Sequence, residues 1–344
     1  MRRRHCSMIP VTSVASAFVC CVLLSSCDRP EDQPVSESSA LSESGELQLE
    51  RAEQFLGAGQ TDEVLHIATE LTTSASGDWR SHELLARAHM QRALTLQHEG
   101  LIELSSASLG KAVDGYARAL PLADGIGGLY RSAADAAHMH GQTELAIAWY
   151  EQAIEIDPDD PRSPLRLAQV IFESHPDEAR ALLNRVVQLN TSIPEAYASL
   201  SLLDATQGDI ASARSHMKHA VAMATDVAAI RIVQARMHRM LGEPQRGAEI
   251  LLALPPADRA MESTTTELAR CWGDVGQHAR AADAWAACYH SLAHRSDAWR
   301  FALEAAKSSL RAGNKPRAAS FLDQAVYLSA PPAEVEAARR TQSS

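Results

Sequence analysis

Histidine is the one polar residue in excess along this 344-residue chain, at fourteen, and two pairs have a spacing that could hold a metal ion. His216/His219 and His290/His294 stand three and four residues apart, so each pair shares one face of a helix. Two ligands are not a site, and only Asp283 or Cys288 stands near the second pair; solvated helix-surface histidines are the alternative, and no metal is expected. His138 and His140 are two apart and point to different sides of a helix. The adjacent carboxylates Asp159 and Asp160 fall in a loop and read as helix N-caps rather than an acid–base pair. The only glycine cluster, Asp124-Gly125-Ile126-Gly127-Gly128, lacks the Lys-Ser/Thr ending of a phosphate cradle and reads as a turn. Neither Gly-x-Ser-x-Gly nor His-Glu-x-x-His is present, so hydrolase and zinc-protease chemistry have no support. The sequence therefore offers no catalytic residue and no cofactor site.

The elements that must carry these residues are helices. Apolar residues make up 46% of the chain but aromatics only 5%, and with 17 Gly and 15 Pro spread thinly, the composition weighs against sandwiches and barrels. A small residue recurs along the chain at Val64, Ala112, Ala146, Ala179, Ala213, Gly247, Ala281 and Ala318, at spacings of 48, 34, 33, 34, 34, 34 and 37. Four residues after each stand Ala68, Tyr116, Tyr150, Leu183, Met217, Leu251, Trp285 and Leu322. Five residues before the recurring position stand Gly59, Gly141, Gly208, Gly242, Gly276 and Gly313, where a left-handed helix cap suits Gly. Pro158, Pro255 and Pro331 end the second helix of their units. Each unit thus reads as two antiparallel helices that approach closely at the small residue.

The run from Gly141 through Ala146, Tyr150 and Ala153 to Pro158 resembles the second half of a tetratricopeptide repeat, and Pro194-Glu195-Ala196-Tyr197, Leu200 and Gly208 resemble its first half, although Asp204 replaces a usual aromatic. The resemblance implies an all-α, right-handed superhelical solenoid of about eight repeats over residues 45–331. The 48-residue spacing predicts one extended hairpin at about 78–123 that projects from the solenoid. The 37-residue spacing predicts an extra turn in the helix carrying Trp299, Leu303 and Leu310. By the same resemblance, the second, fifth, ninth and twelfth residues of each first helix line a concave groove that binds protein segments. In the middle units these are Arg131, Asp135 and His138, then Arg162, Leu165, Gln169 and Phe172, then Glu195, Ala198, Leu202 and Ala205. In the last three they include Arg236, Arg239, Arg270, Arg300 and Lys307, a cationic set suited to acidic segments, with Leu165, Phe172 and Leu202 offering apolar contact. The carboxylate clamp of some chaperone-binding members needs paired Lys and Asn, and Asp135 in one such slot argues against it.

The N-terminus reads as an address. Arg2, Arg3 and Arg4 precede an apolar run from Val11 to Leu24 that is short for a membrane span. Leu24-Ser25-Ser26-Cys27 resembles the lipobox of bacterial lipoproteins, which implies a cleaved signal over 1–26, a lipid on Cys27 and a protein facing the periplasm or exterior; an ordinary signal peptide is the alternative. Each buried acyl methylene contributes roughly 0.8 kcal/mol, so several chains make a lasting anchor. Asp28 resembles the signal that retains such lipoproteins in the inner membrane. Residues 27–44 read as a tether, acidic and rich in Ser and Pro, and 332–344 as a C-terminal tail. Of six cysteines only Cys271 and Cys288 belong to the folded body; an exported compartment permits a bridge between them, and two buried thiols are the alternative. The formal charge of −11 becomes −14 once the signal is removed, with 29 basic against 43 acidic residues. Nucleic-acid binding is therefore not expected. The function class is an envelope-anchored scaffold for a protein or peptide partner. An envelope component associated with polysaccharide is the alternative; an enzyme would need a convergent polar pocket that the sequence does not show.

Overall fold

The computed structural model describes residues 41–123, 125–223 and 228–340. The signal, Cys27 and most of the tether lie outside them. The first unit pairs α1 (Glu43–Gly57) with α2 (Thr61–Ser74), the second α3 (Trp79–His98) with α4 (Ile102–Ala119), the third α5 (Gly127–His140) with α6 (Thr143–Ile156), and the fourth α7 (Arg162–Val170) with α8 (Pro176–Leu189). The fifth pairs α9 (Pro194–Gln207) with α10 (Ile210–Met223), the sixth α11 (Ala228–Met240) with α12 (Pro244–Leu252), the seventh α13 (Glu262–Asp274) with α14 (His278–Ser291), and the eighth α15 (Trp299–Arg311) with α16 (Lys315–Tyr327). A last helix, α17 (Pro332–Arg340), follows. Among the described residues there is no strand, and no helix is long and apolar enough to cross a membrane.

Local chemistry sets the boundaries. Ser42 caps α1 by accepting from the Gly45 N–H, Asp78 caps α3 through Arg80, and Asn314 caps α16 through Arg317. Pro opens α8, α9 and α12, where its missing N–H costs nothing. All six turn glycines have φ between 74° and 87°. The recurring small residue is buried in α2, α4, α6, α8, α10, α14 and α16, and at Gly247 of α12 a Cβ would lie 2.7 Å from the Ala235 carbonyl oxygen. Close helix approach is thus what demands a small side chain there.

First helices of successive units touch one another, α1 with α3, α5 with α7, α9 with α11 and α11 with α13. They therefore lie on the inside of the curve, and the described residues form an all-α solenoid of helical repeats.

Three features differ from expectation. The helix α15 has thirteen residues, no more than its neighbours, and the extra residues widen the turn over 292–298. Arg295 holds that turn, donating to both oxygens of Asp297 at 2.8 and 2.7 Å and to Glu262 at 2.8 Å. The stretch read as a tail is largely α17, whose Val335 and Ala338 are buried on the eighth unit while its other face is polar. Finally, Leu165 and Leu202 are core residues, each 8% exposed, and offer no apolar surface to a partner.

Cys271 and Cys288 are buried free thiols. Burial pushes them up to about 12 and about 11 respectively, so neither is a thiolate near neutral pH.

Candidate functional site

Two clusters of charge stand on the first helices. In the first, Asp160 ends the turn before α7 and accepts from the Arg162 backbone N–H at 3.1 Å, the capping role expected of it. Its carboxylate also takes Arg162 Nε at 2.8 Å and stands 3.8 Å from Arg131 Nε. One turn along, Asp135 accepts from the Tyr150 hydroxyl and lies 3.8 Å from Arg166 Nε. Arg131 and Arg162 are thus brought together, but around a shared counter-charge. Burial, with Arg162 nearby, pulls the Arg131 guanidinium below its ordinary value, and burial followed by Asp135 raises the Tyr150 phenol. His138 is half-buried, and desolvation lowers it. Phe172 is partly buried where the cores of the fourth and fifth units meet.

In the second cluster, three of the sequence-predicted arginines converge on Glu267, which is 1% exposed. Arg239 Nε donates to it at 2.7 Å, and Arg270 Nη1 and Arg236 Nε stand 3.5 and 3.6 Å away. Arg239 also reaches Asp274 at 3.2 Å. Burial lowers the Arg236 guanidinium, with Glu267 opposing and the two neighbouring arginines reinforcing the shift. For Arg239, Glu267 and Asp274 outweigh burial and raise it. Three guanidinium groups on one buried carboxylate leave a local positive surplus, carried toward solvent by Arg270 and Arg239. The other two predicted cations stand apart from this cluster. Arg300 lies over the Trp299 ring at 5.5 Å, and Lys307 donates to Glu304 at 2.6 Å.

Neither histidine pair acts as a unit. His216 is held 2.6 Å from buried Asp204, which also accepts from Arg180 at 2.6 Å. The carboxylate that replaces the usual aromatic is therefore satisfied by side chains from both adjacent second helices. His294 contacts the backbone of a distant turn.

Sequence reasoning missed the counter-charges. Arg80–Glu46 at 2.7 Å, Arg87–Glu53 at 2.6 Å and Arg317–Asp283 at 2.6 Å each join residues 34 apart. Opposite charges one repeat period apart were the available signal.

The described architecture has known counterparts. A family model described as TPR repeat matches residues 134–174, the stretch from α5 to α7. Those residues therefore carry a tetratricopeptide repeat. Its fold is similar to that of a tetratricopeptide repeat protein from Parabacteroides merdae, with a TM-score of 0.58 at 13% identity over 83% of this chain and 100% of that one. It is also similar to human IFIT1, solved as a dimer with m7Gppp-AAAA, with a TM-score of 0.53 at 16% identity over 86% and 69%. A third similar fold is a chain of the APC/C hetero-tetramer Cut9-Hcn1, with a TM-score of 0.53 at 13% identity over 89% and 57%. No curated protein matches the sequence significantly.

Proposed function

We propose that this tetratricopeptide-repeat protein is a bacterial lipoprotein, anchored through Cys27, whose concave groove binds acidic protein segments. The observation that carries the groove reading is the convergence of Arg236, Arg239 and Arg270 on one buried carboxylate. In a protein whose net charge is strongly negative, a local surplus of the opposite sign selects acidic segments against the field of the rest. Arg131, Arg162, Arg300 and Lys307 extend the polar lining. The reading assigns the chain no catalysis. The order of basic head, apolar run, lipobox and tether supports envelope localisation, and Asp28 supports retention at the inner membrane.

Arg270 is the test position for the groove, because Arg236 is too deeply placed for charge reversal to be free of folding effects. Fluorescent acidic peptides are titrated against neutral and basic peptides of equal length. Wild type binds the acidic set best, and Arg270→Glu weakens that binding about tenfold, or ~1.4 kcal/mol. Equal affinity for acidic and neutral peptides, or unchanged affinity in a folded Arg270→Glu protein, rejects the groove assignment. For the anchor, Cys27→Ser moves the protein from the membrane fraction to the soluble one; continued sedimentation with membranes would rule lipidation out.

A further inference from the structure

The two places where the sequence breaks its 34-residue period lie against each other in the folded chain. The long hairpin of α3 and α4 turns over 99–101, and the widened turn between α14 and α15 covers 292–298. Across the gap, His294 Nε2 stands 3.1 Å from the His98 carbonyl oxygen, and the Ser296 backbone N–H donates to the Gly100 carbonyl at 3.5 Å. Gly100 has φ +81°, and a Cβ there would lie 2.6 Å from Arg295 Cα and 2.9 Å from the His294 carbonyl oxygen. Both of those atoms are backbone, so no rotamer change relieves the clash. Gly is needed at position 100 twice, for its left-handed turn and for the close approach. The facing turn is already set by the grip of Arg295 on Asp297 and Glu262.

This contact joins segments 196 residues apart in a fold whose main helix contacts are between chain neighbours. A solenoid held only by neighbours behaves as a spring, soft to stretching and twisting along its length. We infer that the two insertions form a clasp that closes the superhelical turn from the second unit to the seventh into a ring. Both arginine clusters lie on helices inside that span, so the clasp fixes the spacing of the groove helices before any partner arrives. Two hydrogen bonds and one close approach make a small latch, which parts and recloses without unfolding any helix. A segment with a free end enters the closed ring end-on, whereas one flanked by folded domains enters only with the clasp open.

Closure is read without a partner, so its failure and that of the groove reading are separate results. Hydrogen exchange of the full chain is compared for wild type, Gly100→Val and the reciprocal His294→Ala. A clasp requires Gly100→Val to speed exchange at 294–298 about tenfold, with α14 unchanged as the control for folding. His294→Ala, in an exposed turn, speeds exchange at 98–101 in the same way. Small-angle scattering of both variants shows a larger radius of gyration. Wild-type exchange rates at the facing turn in a folded Gly100→Val protein overturn the clasp. Should that variant not fold, wild-type rates at 98–101 in His294→Ala overturn it equally.

Discussion

Glu267 holds three guanidinium groups from two helices, and its position ties Arg236, Arg239 and Arg270 to one point between them. A buried carboxylate this enclosed contributes to stability through its partners and at the same time cancels part of the charge they present. Replacing it with Gln keeps the shape but leaves the arginines to repel one another around a neutral amide. Breaking a fully buried ion pair costs about 3–5 kcal/mol. Here Arg239 and Arg270 reach solvent, so the loss is smaller, about 2 kcal/mol in chemical denaturation. The same change raises the positive potential of the groove, so Glu267→Gln binds acidic peptides more tightly than wild type while melting earlier. A variant as stable as wild type, or one with weaker peptide binding, contradicts this coupling.

The pairing of helices was legible because each unit repeats the same steric demand. A small residue where two helices meet, with a larger one a turn later, has to recur at fixed spacing if neighbouring units are to stack, and residues such as Ala146 with Tyr150 and Ala179 with Leu183 are buried accordingly. Where the extra residues would go was not legible. Spacing counts residues between landmarks but does not divide them between helix and turn, so the three surplus residues before Ala318 looked like added helix, when Arg295, Asp297 and Glu262 hold them as a turn. The helix α17 was hidden for another reason: it is short and buries little besides Val335 and Ala338, too few apolar residues to show a period. Of the site, the arginines were visible and their partner was not. Glu267 is the sixth residue of α13, off the set of positions that face the groove, and its importance comes from pointing between helices. Leu165 shows the converse, a groove position whose side chain is taken up by the core.

At the scale of the whole molecule, an elongated stack has no single core, and its stability is set locally. The described residues bury apolar side chains in six separate clusters. The largest runs from Ala86 to Leu203 and includes the fully buried Tyr116, Tyr150, Leu129 and Leu183, spanning the second to fifth units. The sixth and seventh units are instead split among several clusters: Ile230, Val233 and Met237 pack with the fifth unit, Ala269, Trp285 and Cys288 pack with the eighth, and between them lie only the small groups around Ile232, Ala235 and Leu251 and around Ala248, Cys271, Trp272 and Ala281, where α12 is nine residues long. Each Å² of apolar surface removed from water contributes about 25 cal/mol, so the units that bury less open more readily. The clasp does not equalise them, because it ties the hairpin to the turn beyond α14 and adds no apolar burial to α11, α12 or α13. Native-state hydrogen exchange is therefore expected to rank the helices, with amides of α5 to α9 protected about tenfold or more over those of α11 to α13. Uniform protection along the chain would mean that the solenoid opens as one cooperative body. The arginine cluster at Glu267 sits in the less protected stretch, where a bound segment bridging α11 and α13 has the most to stabilise, so an acidic peptide should slow exchange there first and leave α5 to α9 unchanged.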